Sequence, residues 1–163
     1  MKTIDEAGIL AIATRLQRLS ENLRRDGSLI YKAYGIDFEP KYFPVVFVLH
    51  AKPMLSIVQV AEEIGYSHPS TISLLKDLEK KGLIESKKDA RDERRRMVRL
   101  TARGNVLVKK IQPVWRVMTG ALSDLLGTRN NLLTAIIEVE RRFEEQGFYQ
   151  RARPLLPRQK LLH

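Results

Sequence analysis

The sequence of 163 residues contains no cysteine, which removes disulfides, thiolate metal ligands, thiol nucleophiles and cysteine redox sensing together. Histidine is scarce: His50, His68 and His163 are the whole complement, at spacings that suit no metal site. Long apolar runs are missing as well, since residues 44–49 form the longest and a bilayer span needs ~20. The N-terminus reaches Asp5 and Glu6 before any apolar stretch, so no secretory signal is expected and a cytoplasmic location is. GxGxxG, Walker, HExxH and GxSxG patterns are all lacking, and with them the usual grounds for expecting an enzyme or a cofactor. Acidic residues are in deficit. Lys and Arg number 29 against 19 Asp and Glu, a formal net charge of +10, which favours a polyanionic partner. At 44% hydrophobic and 29% charged, the composition is that of a folded soluble chain.

Apolar residues at Ile9, Ile12, Leu16, Leu19 and Leu23 alternate steps of three and four, one stripe of a first helix. Asp26-Gly27-Ser28 is a candidate for its end, and Gly35 with Pro40 marks a definite interruption. Residues 41–50 predict a short, mostly buried helix with Pro44 in its first turn. The next helix starts at a capping box, in which Ser56 caps and Gln59 reaches back, and it stops at Gly65. Another follows at once, because Ser67 supplies a capping hydroxyl and Pro69 suits a first turn. Its stripe is read as Ile72, Leu75 and Leu78, with Gly82 as its end. Two short helices joined by a turn containing glycine predict a helix-turn-helix.

Residues 83–87 and 96–100 then predict two strands, the second alternating with Val98 and Leu100 on one face. The charged stretch 88–95 between them suits a hairpin tip. A charge run alone is an ordinary solvated loop, but this one directly follows a candidate recognition helix. The order helix, helix, strand, basic loop, strand predicts a winged helix-turn-helix.

These residues resemble a known family. Ser67-x-x-Ser70-Thr71-Ile72-Ser73, Leu78-Glu79-x-Lys81-Gly82-Leu83-Ile84, Asp89-x-Arg91-Asp92-x-Arg94 and Val98-x-Leu100-Thr101-x-x-Gly104 are similar to the motifs of multiple-antibiotic-resistance regulators, the MarR type. The likeness is close over 55–104, and the flanking helices match in placement only. It implies a homodimeric bacterial transcription factor, commonly a repressor, whose DNA affinity falls when small anionic or phenolic ligands bind. It also implies that the aspartate–arginine pattern is a wing that touches DNA. Leu74 departs from the pattern, standing where many relatives carry Arg or another polar residue.

With Ile72, Leu75 and Leu78 inward, the opposite helix face presents Pro69, Ser70, Ser73, Leu74, Asp77 and Lys80. A helix in the major groove reads base edges from its N-terminal part, so Ser67, His68, Pro69, Ser70, Thr71 and Ser73 are DNA-contact candidates. Two roles are open to Leu74, a thymine-methyl contact or packing against the wing or the preceding helix. Thr71 either touches phosphate or caps. On the wing, Arg91 and Arg94 reach phosphates or the minor groove, with Asp89 and Asp92 able to orient them. Lys87, Lys88, Arg95, Arg96 and Arg99 extend the patch, and a wing closed on its own salt bridges is the alternative.

After the wing, Thr101 caps a long helix carrying Leu107, Ile111, Val114, Met118, Ala121 and Leu125, with Pro113 inside it. A further helix from about Thr128 aligns Leu132, Ile136, Val139 and Phe143. A small winged domain is expected to leave both stripes uncovered, and a two-fold homodimer covers them while reading a palindromic operator. Tyr31, Tyr34, Tyr42, Phe43, Phe47 and Trp115 are either plain core or the lining of an effector pocket. The resemblance favours a pocket at this junction for a small aromatic or anionic molecule.

The expected fold is therefore mainly α with a small β-hairpin wing, one domain over 1–163. Its winged helix-turn-helix spans 41–100, flanked by dimerisation helices at 1–35 and 101–149 and a basic, flexible tail at 150–163. The expected function is ligand-responsive repression through double-stranded DNA, with no membrane partner. The alternative is a winged-helix module that docks an acidic protein.

Overall fold

The computed structural model describes residues 3–89, 92 and 95–156. A 3-10 segment, Thr3–Ala11, leads into α1 (Ile12–Ala33), and a 3-10 turn, Pro40–Tyr42, leads into α2 (Phe43–Ala51). Then come β1 (Leu55–Ser56), α3 (Ile57–Ile64), α4 (His68–Lys80), β2 (Ile84–Lys88) and β3 (Arg96–Leu100). The chain continues as α5 (Ala102–Leu126), α6 (Leu132–Glu145), α7 (Phe148–Ala152) and a 3-10 turn, Arg153–Leu155. It divides into two compact units after Met118. The fold is mainly helical with one small antiparallel sheet, ordered β1-β3-β2.

The capping box forms as the sequence predicts. Ser56 Oγ accepts the Gln59 N–H at 3.3 Å, and Gln59 Oε1 accepts the Ser56 N–H at 2.9 Å. Gly65 ends α3 at φ 68, the left-handed conformation that costs glycine nothing. Ser67 begins α4, and its Oγ accepts the Ser70 N–H. The expected hairpin is present, with Ile84 opposite Leu100 and Lys88 opposite Arg96. The third strand was not anticipated. Leu55 and Ser56 pair with Val98 and Met97, and two residues are too few to show alternation in a sequence.

Apolar side chains from the helices α1 to α5 and all three strands meet in the first unit. Val45, Val46 and Leu49 of α2 pack with Val60, Leu75 and Leu78, and the sheet adds Ile84, Val98 and Leu100. The start of α5 completes this core with Val108, Ile111 and Val114. That corrects the expectation of one uncovered stripe along α5, because its N-terminal half is spent inside the winged unit. Beyond Met118, Leu122 and Leu125 are exposed.

Other boundaries also move. α1 runs through Asp26-Gly27-Ser28 without a break, since Gly27 is the place where Pro40 comes close, 3.3 Å from where a Cβ would stand. α6 begins at Leu132 rather than Thr128, because Asn131 caps it by accepting the Thr134 N–H at 3.1 Å. In this second unit α6 buries none of its residues, and Leu133, Ile137, Val139 and Phe143 are exposed. The segment expected as a basic tail is helical through Leu155, and Arg151 donates to the carbonyls of Arg142 and Gln146 at 2.7 and 2.8 Å. Residues 157–163 lie outside the described residues.

The joint between wing and α5 rests on Thr101 and Gly104. Thr101 donates its N–H to the Leu83 carbonyl at 3.0 Å and its hydroxyl to the Gly82 carbonyl at 2.7 Å. The same hydroxyl accepts the Gly104 N–H at 3.0 Å, which caps α5 as the sequence predicts. A Cβ on Gly104 would be driven into the Leu83 carbonyl oxygen and lie 3.1 Å from Leu100 Cδ2. Gly104→Ala is therefore expected to cost about 1–3 kcal/mol by overpacking. Urea unfolding checks this, with a lowered midpoint and an unchanged slope as the predicted result.

Candidate nucleic-acid interface

α4 and the wing carry the candidate site, and the rotation of α4 decides which side chains face out. The buried positions are Thr71, Leu75 and Leu78, with Leu74 partly buried against the same core. Leu75 and Leu78 of the predicted stripe are buried, while Thr71 takes the place expected for Ile72, which is only half-buried. Thr71 is fully buried, and its hydroxyl donates to the Ser67 carbonyl at 3.1 Å, so it bonds its own helix and not a phosphate. Leu74 takes the packing role of its two open readings. The reason is local: Thr71 can enter the core because its hydroxyl finds a carbonyl one turn back.

Rotating the stripe brings a new residue outward. Pro69, Ser73, Lys76 and Lys80 are all exposed and follow steps of four, three and four, which places them on one face. Lys76 was missed, and a stripe drawn from Thr71 would have found it. Neither Lys76 nor Lys80 has an ion-pair partner among the described residues, so both present full charge to a ligand. At the helix start, Ser67, His68 and Ser70 are exposed too. Ser67 donates its O–H to Ser70 Oγ at 2.9 Å, which leaves the Ser70 O–H free to donate outward.

The wing sorts its cations onto two faces, because side chains alternate along a strand. Lys88 and Arg96 lie opposite one another in the ladder, and the Arg96 guanidinium donates to Ser86 Oγ at 2.8 Å. Ser86 in turn donates its hydroxyl and its N–H to Glu79 of α4, at 2.7 and 3.2 Å. Arg96 is therefore braced toward the recognition helix. On the other face Arg99 and Lys87 flank Glu85, and the Arg99 hydrogen bond holds the Glu85 carboxyl below its ordinary pKa. Arg95 is exposed, its N–H donating to the Asp92 carbonyl at 2.9 Å and its carbonyl accepting the Asp89 N–H at 2.9 Å. Arg91 and Arg94, the most explicit sequence candidates, lie outside the described residues.

The six aromatic candidates separate into groups. Trp115 stands edge-on to Phe43 at 5.3 Å and Phe47 at 5.6 Å between ring centroids, and its Nε1–H donates to Tyr31 Oη at 2.8 Å. Burial raises the Tyr31 pKa, opposed by that hydrogen bond, so the phenol stays protonated. Tyr42 instead meets Phe38 at 6.1 Å and lies under Lys41, while Tyr34 is exposed. Tyr31, Phe43, Phe47 and Trp115 therefore form one cluster at the meeting of α1, α2 and α5, with Phe43 and Phe47 open to solvent. Among the described residues no group of His, Asp and Glu could hold a metal, and no helix is long and apolar enough to cross a membrane.

Residues 35–95, which contain the capping box, the recognition helix and the wing, match the model of the MarR family. Over that stretch the chain is similar to the MarR family. The solved structures it resembles share its winged-helix fold. The M. tuberculosis regulator MosR, solved in complex with DNA, superposes with a TM-score of 0.70 at 19% identity, over 82% of this chain and 96% of that one. The repressor CouR, bound to a 23-mer duplex, gives 0.66 at 24% identity, over 82% and 96%. NadR in complex with 4-hydroxyphenylacetate gives 0.57 at 26% identity, over 79% and 90%.

Two substitutions on α4 separate packing from recognition. Leu74→Ala is expected to lower stability by about 1–3 kcal/mol, less than a fully buried leucine can cost, and to leave the preferred DNA sequence unchanged. Lys76→Ala is expected to leave the unfolding midpoint unchanged and weaken DNA binding. Its log-affinity against log-salt slope should shrink by about one unit if Lys76 neutralises a phosphate. Fluorescence anisotropy at several salt concentrations, beside thermal unfolding, checks both.

Proposed function

We propose that this chain is a cytoplasmic, ligand-responsive repressor that binds a palindromic operator as a homodimer. The observation that carries the reading is the exposed α4 face, with Ser70, Ser73, Lys76 and Lys80 on a chain of net charge +10. Small hydroxyls near the helix start permit close approach to base edges, and the lysines neutralise phosphates. Ser67, His68 and Pro69 lie at the same end of the helix. The wing adds Lys87, Lys88, Arg95 and Arg96, and its tip residues Arg91 and Arg94 contact phosphates or a narrow minor groove.

Dimerisation is supported by apolar surface that no other described residue covers. Val139 and Phe143 of α6 are 60% and 61% exposed, and Ile12 and Leu16 of α1 are exposed as well. A helix this apolar on one side is stable only against a partner. A two-fold dimer also sets half-sites about one helical turn apart. The effector reading rests on the cluster of Tyr31, Phe43, Phe47 and Trp115, whose exposed ring faces suit a small aromatic molecule.

A gel shift on the DNA flanking the gene tests the reading directly. One preferred duplex with steep salt dependence supports it, and equal binding to all duplexes favours a module that docks acidic protein. Val139→Asp with Phe143→Asp is expected to lower both self-association in sedimentation and operator affinity. Arg91→Ala and Arg94→Ala are each expected to shrink the salt slope by about one unit with folding intact, since exposed ion pairs contribute only ~0–1 kcal/mol.

A further inference from the structure

Ser86 lies on β2, an edge strand of the sheet, and its hydroxyl and N–H both find a partner outside the sheet. That partner is Glu79 Oε1, 2.7 Å from the hydroxyl and 3.2 Å from the backbone nitrogen. A hydroxyl has one proton and Glu79 takes it, so toward Arg96 the Ser86 oxygen can only accept. The Arg96 guanidinium fills that position, donating from Nη2 at 2.8 Å. Lys88 stands opposite Arg96 in the ladder, so the link from Arg96 to Ser86 is the cross-strand diagonal on one face of the hairpin. The bonds run from guanidinium to hydroxyl to carboxylate, and each polarises the next. Glu79 is exposed and sits three residues beyond Lys76, beside the α4 face that carries Ser73 and Lys76.

By charge alone, a carboxylate beside a surface that meets phosphates repels the partner. Its geometry gives Glu79 a second effect. A free arginine side chain loses rotamer freedom when it binds a phosphate, which weakens the contact. Arg96 has given up part of that freedom before any DNA arrives, since its head is tied through Ser86 to α4. We infer that Glu79 is a positioning residue for DNA binding: through Ser86 it aims the Arg96 guanidinium and holds the wing at a fixed distance from the recognition helix. The inference rests on the regulator reading above, in which α4 enters the major groove and the wing reaches neighbouring phosphates. Glu79 itself touches no DNA. Removing this negative charge therefore weakens binding to a polyanion, where charge alone would strengthen it.

Glu79→Gln and Glu79→Ala separate the two effects, because both remove the charge and only glutamine keeps an oxygen that accepts from Ser86. Fluorescence anisotropy on the duplex flanking the gene, at several salt concentrations, is expected to show Glu79→Ala weakened about three- to tenfold. Glu79→Gln should bind at least as tightly as the unaltered chain. The salt slope should shrink by about one unit in Glu79→Ala, as in Arg96→Ala, because a misaimed cation neutralises no phosphate. With Arg96→Ala already present, Glu79→Ala should change affinity no further, a result that general loosening of the fold would not produce. Thermal unfolding should hardly move, since exposed pairs add little stability. Amide hydrogen exchange of Ser86 in the DNA-free chain gives a readout that needs no operator: slow in the unaltered chain and in Glu79→Gln, fast in Glu79→Ala. Equal affinity of the two Glu79 variants would reduce Glu79 to a surface charge and overturn the inference. Additive losses from Glu79→Ala and Arg96→Ala would overturn it too, as would Ser86 exchange that ignores Glu79→Ala. A failure of the regulator reading looks different, for the unaltered chain then prefers no duplex, whatever Ser86 exchange shows.

Discussion

The backbone of α5 lies directly on the Leu83 carbonyl, and nothing larger than hydrogen fits between them at Gly104. Much else hangs from that contact. Leu83 follows the Gly82 turn that ends α4, so the approach fixes the base of β2 against the first turn of α5. Thr101 locks the joint by bonding the carbonyls of Gly82 and Leu83 while capping α5. With the base held, Val108, Ile111 and Val114 enter the same core as Leu75 and Leu78 of α4. The recognition helix, the wing and the long helix thus share one packed interior, and a shift in one is felt by the others.

That shared interior also sets what α4 shows to solvent. Thr71 is admitted to the core because its hydroxyl is satisfied one turn back, and its entry rotates the helix so that Ser73 and Lys76 face outward. Glu79 and Ser86 then brace the wing against α4, and Arg96 joins them. The cations of the proposed DNA face are consequently presented by a braced frame, while those at Arg99 and Lys87 are spent partly on Glu85. Surface ion pairs of that kind add little stability, so their effect is chiefly on which charges remain available.

Much of this was legible in the chain itself. The capping box at Ser56 and Gln59, the start at Ser67, the glycines at 65 and 82 and the alternation of β3 each depend on neighbours a few residues apart, and each formed as predicted. The charge excess and the motif order pointed to DNA and to the MarR family before any packing was known. Misreadings cluster where a distant residue decides. Gly27 resembles a helix end until Pro40 is seen beside it, and β1 is a strand only because β3 lies next to it.

Local hydrogen bonding and binary pattern, both short in range, determined the element order and the caps. Only the tertiary structure decided the rotation of α4, the use of α5 as core, the gathering of Tyr31 with Trp115, and the bonds that join Arg96 to Glu79 through Ser86. A period of 3.6 residues states that a face exists but not its phase when Thr71 and Ile72 both offer a plausible edge. The phase is set by which side chain the assembled core can satisfy and enclose, and that depends on residues far away along the chain.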